Sequence, residues 1–137
     1  MTYKAKYCQT EKLEDAMTKI MAVDDEQDIV KLIGRILKKA GYEFVGCLGG
    51  EECLKKFKKE KPDLLLLDVM MPSMSGWDVY KEIMKINKKQ KVLFLTAVTM
   101  QSDARETMDK LGVSDYLTKP FEPYELTERV KLILERQ

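Results

Sequence analysis

Three acids in this chain stand where short apolar runs give out: Asp24 and Asp25 after Lys19–Val23, and Asp68 after the four leucines Leu64–Leu67. A threonine and a lysine, Thr96 and Lys119, close two later runs in the same way. Gathered in one place, such a set has a definite chemistry. Carboxylates about 4 Å apart repel by about 1–4 kcal/mol per pair, depending on the dielectric, so a cation must offset them. Magnesium, a hard ion that prefers oxygen and keeps several waters, fits two or three acids beside a phosphate. Asp68 is then a nucleophile for a phosphoryl group, Lys119 a point charge able to pair with Asp68 and later with a phosphoryl oxygen, and Thr96 a hydroxyl donor. Singly, each has a plainer role: Asp24 and Asp25 as caps of a first helix, Thr96 as a strand residue, Lys119 as a solvated lysine. Their shared position at strand ends favours the joint reading.

The elements that must position them follow from periodicity. Strands are expected at Lys19–Val23, Glu43–Cys47, Leu64–Asp68, Lys91–Leu95 and Ser114–Thr118. The continuous apolar run before Asp68 is the pattern of a strand buried on both faces. Between Ile29 and Ala40 apolar residues recur at helical spacing, Lys38 and Lys39 fill the last turn, and Gly41 suits a left-handed C-cap. Further helices are expected over Glu51–Glu60, ended by Pro62, over Trp77–Lys85 with Val79, Ile83 and Ile86 inward, near Ser102–Leu111 on thin inward anchors (Ala104, Met108, Leu111), and from Pro123, burying Leu126, Val130, Ile133 and Leu134. Five strands alternating with five helices imply right-handed crossovers: an α/β, flavodoxin-like, doubly wound parallel sheet of order 2-1-3-4-5 with helices on both faces. That order places Asp24, Asp25, Asp68, Thr96 and Lys119 on one rim, where open α/β sheets bind ligands.

Composition narrows the function further. A chain of 137 residues, 45% apolar, has room for one full core. Twenty-four basic against 23 acidic residues leave a net charge of +1, which gives no reason to expect DNA or membrane as the main partner. The lysines at 55, 56, 58, 59 and 61 read as a solvated face. No run approaches a membrane span and no signal-peptide core opens the chain, so a cytoplasmic protein is expected. Cys8, Cys47 and Cys53 lack metal-site spacing and read as reduced thiols. Histidine is absent, which removes imidazole from any catalytic scheme. Residues 1–17 read as an N-terminal extension without assigned function, and 18–137 as the domain.

Over about residues 18–137 the chain resembles the receiver domains of two-component response regulators, of the stand-alone kind found in chemotaxis. The resemblance rests on Asp24-Asp25-Glu26, on Asp68 within Leu67-Asp68-Val69-Met70-Met71-Pro72, and on Gly76, Thr96-Ala97 and Lys119-Pro120-Phe121. It implies that Asp68 accepts a phosphoryl group from a sensor histidine kinase or phosphotransfer protein. It also implies a magnesium ion held by Asp25, Asp68 and the Met70 carbonyl, with Asp24 acting mainly through water. Thr96 would swing toward the phosphoryl group, Tyr116 would turn inward behind it, and the Lys119–Pro120 bond would be cis.

Because the chain stops soon after its last helix, the output is expected to be a separate protein, docked on the face around Arg105, Tyr116, Phe121 and Arg129. The resemblance also places Met70 and Val98 beside the phosphoryl group; both are apolar and unable to orient a hydrolytic water, so slow self-dephosphorylation is expected. Two rivals share parts of this pattern. A flavodoxin-like electron carrier needs a phosphate-cradling loop where this chain is acidic. A magnesium-dependent phosphohydrolase with an aspartyl nucleophile usually carries a second acid two residues later, where this chain has Met70. A multiple-turnover enzyme is therefore not the expected reading.

Overall fold

The computed structural model describes residues 17–97, 101–111 and 115–136. Among them, β1 (Lys19–Val23), α1 (Gln27–Lys39), β2 (Glu43–Cys47), α2 (Gly50–Glu60), β3 (Leu64–Asp68), α3 (Gly76–Ile86), β4 (Lys91–Ala97), α4 (Gln101–Leu111), β5 (Tyr116–Lys119) and α5 (Pro123–Leu134) alternate along the chain. The strands form one parallel sheet in the order β2-β1-β3-β4-β5, as expected. Residues 1–16, Cys8 among them, lie outside the described residues, as does Val98.

The leucine run explains why β3 is central. Side chains alternate across a strand, so Leu64 and Leu66 enter the core under α1 and α5 while Leu65 and Leu67 enter the core under α2 and α3. All four are fully buried. Each contributes about 1.5–3 kcal/mol relative to an exposed side chain, a gain that a half-buried strand would have only at alternate positions. The α1 pattern buries Val30, Ile33 and Leu37. It ends as the glycine predicts: Gly41 has φ +98, and the Tyr42 and Gly41 amides donate to the Leu37 and Lys38 carbonyls. Cys47 and Cys53 are buried free thiols, and burial pushes their pKa values up to about 11 and about 12.

Several boundaries differ from expectation. β4 runs to Ala97, so Thr96 lies inside the strand. β5 starts at Tyr116, short of the expected Ser114, which lies outside the described residues, and ends on Lys119 itself. The cause is a tertiary pairing, Thr96 with Thr118 and Ala97 with Lys119, that carries both strands past their apolar runs. Helix α2 is closed by Lys61 in the left-handed region (φ 48) before Pro62 is reached. Ile86, expected inward, is 42% exposed. No helix of the described residues is long and apolar enough to cross a membrane.

Candidate functional site

Register builds the site. Val23 lies beside Leu67 on the neighbouring strand, so the next residues, Asp24 and Asp68, emerge side by side at the carboxyl edge. This is the switch point of the sheet, where α1 and α3 depart to opposite faces. One carboxylate oxygen from each of Asp24, Asp25 and Asp68 lies within 4.8 Å of the others. Asp24 is wholly buried, Asp68 is 5% exposed and Asp25 is exposed.

Fixed hydrogen bonds hold these groups. The Asp24 amide donates to the Cys47 carbonyl (3.1 Å), and Asp24 Oδ1 accepts from the Glu26 amide (2.9 Å). That bond orders the loop, yet neither acid caps α1 through its side chain. Lys119 Nζ donates to Asp24 Oδ2 at 2.7 Å and lies 3.3 Å from Asp68 Oδ1 and 3.9 Å from Glu26 Oε1. The lysine was expected to pair with Asp68, but its shorter bond is to Asp24. Since the two acids are neighbours on adjacent strands, spacing alone does not rank them.

Three carboxylates against one ammonium leave two negative charges in the pocket, which one divalent cation would balance. The electrostatics carry the mark of that excess. Burial, and then the charge of Asp24, push the Asp68 carboxyl up to about 6, while Lys119 and the Met70 amide pull it back only in part. Burial draws the Lys119 ammonium down, but the Asp24 bond and the charges of Asp68 and Asp24 outweigh it and raise it above the ordinary lysine value. A donor set made only of oxygens, with one exposed acid to admit an ion, fits magnesium.

Thr96 follows the partner of Asp68 in β4, Leu95, and is fully buried, its hydroxyl donating to the Ala97 carbonyl at 3.3 Å. The loop after Asp68 is drawn tight by Gly76, whose amide donates to the Val69 carbonyl at 3.0 Å. A Cβ at Gly76 would collide with the Asp68 backbone carbonyl. Ser75 and Asp78 then start α3 with reciprocal bonds of 3.2 Å. Met70 is 58% exposed beside the site. The close approach of Gly76 went unassigned in the sequence; its glycine was visible, the carbonyl it faces was not.

Tyr116 is half-buried at the start of β5, its hydroxyl accepting from Arg105 of α4 at 2.7 Å with the guanidinium 5.9 Å from the ring centroid. Arg129 of α5 donates to the Tyr116 carbonyl. Phe121, expected on this face, is half-buried against the core under α1 and α5. The Lys119–Pro120 bond is cis.

Comparison with known proteins accords with this geometry. The family model for the response regulator receiver domain matches residues 20–131. The alkaline phosphatase synthesis transcriptional regulatory protein PhoP of Bacillus subtilis is 44% identical over 118 residues, 86% of this chain but 49% of PhoP. The chain spans about half the length of the first curated relatives it matches. The chemotaxis protein CheY of Thermotoga maritima is 35% identical over 84% of this chain and 96% of CheY. Among solved structures, Vibrio cholerae CheY4 superposes with a TM-score of 0.81 at 30% identity, covering 86% of this chain and 99% of CheY4. The response regulator TrrA of Thermotoga maritima, solved in complex with Mg(2+)-BeF, superposes at 0.76 with 38% identity, covering 85% of this chain and 99% of TrrA. An acidic pocket at the switch point of a 2-1-3-4-5 sheet, with Lys119 across it, thus meets a family match over most of the sequence, and the chain belongs to the response regulator receiver domain family.

Proposed function

We propose that Asp68 is the phosphoacceptor of a phosphorylation-controlled switch, charged by a sensor histidine kinase or a phosphotransfer protein. Receiver domains pair with histidine kinases and downstream targets, and they bind Mg2+ at an acidic pocket. Here Asp25, Asp68 and the Met70 carbonyl would hold the ion, with Asp24 acting through water. When bound, magnesium neutralises charge on the transferring group. An Asp68 oxygen attacks phosphorus, the bond to the donor imidazole nitrogen breaks, and its electron pair leaves with the ring. Lys119, now shared by Asp24 and Asp68, moves its charge toward a phosphoryl oxygen, and Thr96 turns its hydroxyl from the Ala97 carbonyl to another. The observation that carries this reading is the convergence of three carboxylates and Lys119 on one rim.

The output surface is the face of α4, β5 and α5. Tyr116 supports this assignment, because Arg105 and Arg129 tie it to both flanking helices and Phe94, its partner in β4, lies two residues before Thr96. A shift of Thr96 would therefore be felt on that face by a separate target protein. Residues 18–137 form the receiver unit in this reading, and direct DNA binding is no part of it.

Incubation with acetyl phosphate and magnesium, read by intact mass, tests the acceptor: one phosphoryl adduct is expected on the wild type and none on Asp68→Ala. An unmodified wild type would overturn the proposal. Receiver domains are signalling proteins rather than multiple-turnover enzymes. The rival magnesium phosphohydrolase is disfavoured by apolar, exposed Met70 at the position of a proton donor; sustained turnover of small phosphate esters would restore it.

A further inference from the structure

At the opposite end of the sheet, α2 and α3 finish side by side and leave a hollow of about 420 Å³ between them. Phe57, Pro62 and Ile86 give it an apolar lining, and Ile86 is 42% exposed there. Lys58 and Lys61 stand on its edge, and Lys88 and Lys89 follow in the turn after α3, all exposed. No ion pair with a described residue engages any of these four lysines, whereas the nearby Lys19, Lys56 and Lys85 are each paired with a glutamate. Lysines in a helix's last turn complement its dipole, which accounts for Lys58. Lys61, Lys88 and Lys89 lie beyond the helices and are left over. A second hollow of about 360 Å³ continues the first, sharing Pro62, Asn87 and Gln90 and running past Lys89 toward the end of α5.

We propose that this groove, remote from Asp68, is a docking site for an acidic peptide segment of a partner protein, with one aliphatic side chain seated over Ile86 and flanking carboxylates paired with Lys58, Lys61 and Lys89. Charge complementarity selects an acidic occupant. The concave, apolar lining selects an anchored peptide over a flat lipid surface, and nucleic acid finds among the described lining residues no exposed aromatic ring on which to stack a base, Phe57 being buried. Lying at the other pole of the sheet, the site works whether or not Asp68 is modified, so it recruits rather than switches, and it does not rest on the phosphoacceptor reading.

The full chain, labelled with 15N, is titrated with a short peptide of glutamates around a single leucine. An all-glutamate peptide and phosphatidylglycerol vesicles serve as comparisons, each with and without magnesium and fluoroberyllate. The expected result is shifts at Phe57, Lys61, Asn87 and Gln90, equal in both states, with affinity about tenfold lower for Ile86→Ser and for the double variant Lys58→Glu, Lys61→Glu. A thermal melt of each variant, expected within a few degrees of wild type, separates lost binding from lost fold. Shifts elsewhere, equal binding of the all-glutamate peptide, unchanged affinity in Ile86→Ser, or binding to vesicles alone would each overturn the proposal.

Discussion

Replacing Asp68 with asparagine should stabilise the protein in metal-free solution at neutral pH, although it removes the proposed phosphoacceptor. The Asp68 carboxyl is pushed from 3.8 to about 6, first by burial and then by Asp24. The folded state therefore holds this proton more tightly than the unfolded chain does. Asp68 leaves stability untouched below about pH 4, erodes it as pH rises through the window from 3.8 to about 6, and holds it at its lowered value above. A displacement of about two pH units corresponds to about 3 kcal/mol. A neutral amide of the same shape stands in for the protonated acid, so Asp68→Asn should gain about 2–3 kcal/mol near pH 7.5. Urea unfolding in EDTA measures this directly, followed by fluorescence of Trp77, the only tryptophan, whose ring lies 4.4 Å from that of Phe94. The gap should shrink as pH falls toward 4. It should also shrink on adding magnesium, which stabilises only a protein able to bind it, by about 2.7 kcal/mol at a hundredfold excess over Kd. A variant less stable than wild type at neutral pH in EDTA, or a gap indifferent to pH, would refute the argument from burial and like charge.

Lys119→Met should lower stability by about 3 kcal/mol, because it strips buried Asp24 of its 2.7 Å cation; urea midpoints check this, and the yield of acetyl phosphate labelling should fall as well. Gly76→Ala should cost about 1–3 kcal/mol, since its Cβ meets the Asp68 carbonyl and the loop must shift; a thermal melt equal to wild type would contradict the close approach. Met70→Asn adds a polar group at an exposed position next to the acceptor and should shorten the phosphoryl lifetime several-fold, as followed by the decay of the mass adduct.

What the sequence disclosed depended on whether one element sufficed to encode it. The β3 run and the α1 stripe are local patterns, and both elements formed where those patterns lie. The ends of β4 and β5 are not local, because Thr96 and Lys119 join the sheet only by pairing with each other's strands. Ile86 fails for a related reason: helical periodicity tells which side of α3 faces inward, but not where the layer beneath it stops. At the site, the residue types and their shared rim were legible, because each acid follows its own apolar run. Which acid Lys119 holds more closely turns on the difference between 2.7 and 3.3 Å, and which carbonyl Gly76 approaches depends on how the loop after β3 folds back on the strand end.

The same local rule that builds the helices also charges the two poles of the molecule. Acids occupy the first turns of α1, α2, α3 and α5, and lysines the last turns of all five helices, each favoured by the helix dipole by about 0.3–1 kcal/mol. Since every helix in a doubly wound fold starts at the carboxyl edge of the sheet, these preferences add in one direction. The acidic rim thus inherits a negative surround, which raises the local concentration of cations there. The repulsion that lifts Asp68 comes from nearer at hand, from burial and the charge of Asp24, so the helix acids favour cation approach while the paired strand ends set the apo-state strain. A net charge of +1 conceals it, because the compensating lysines lie a full sheet length away.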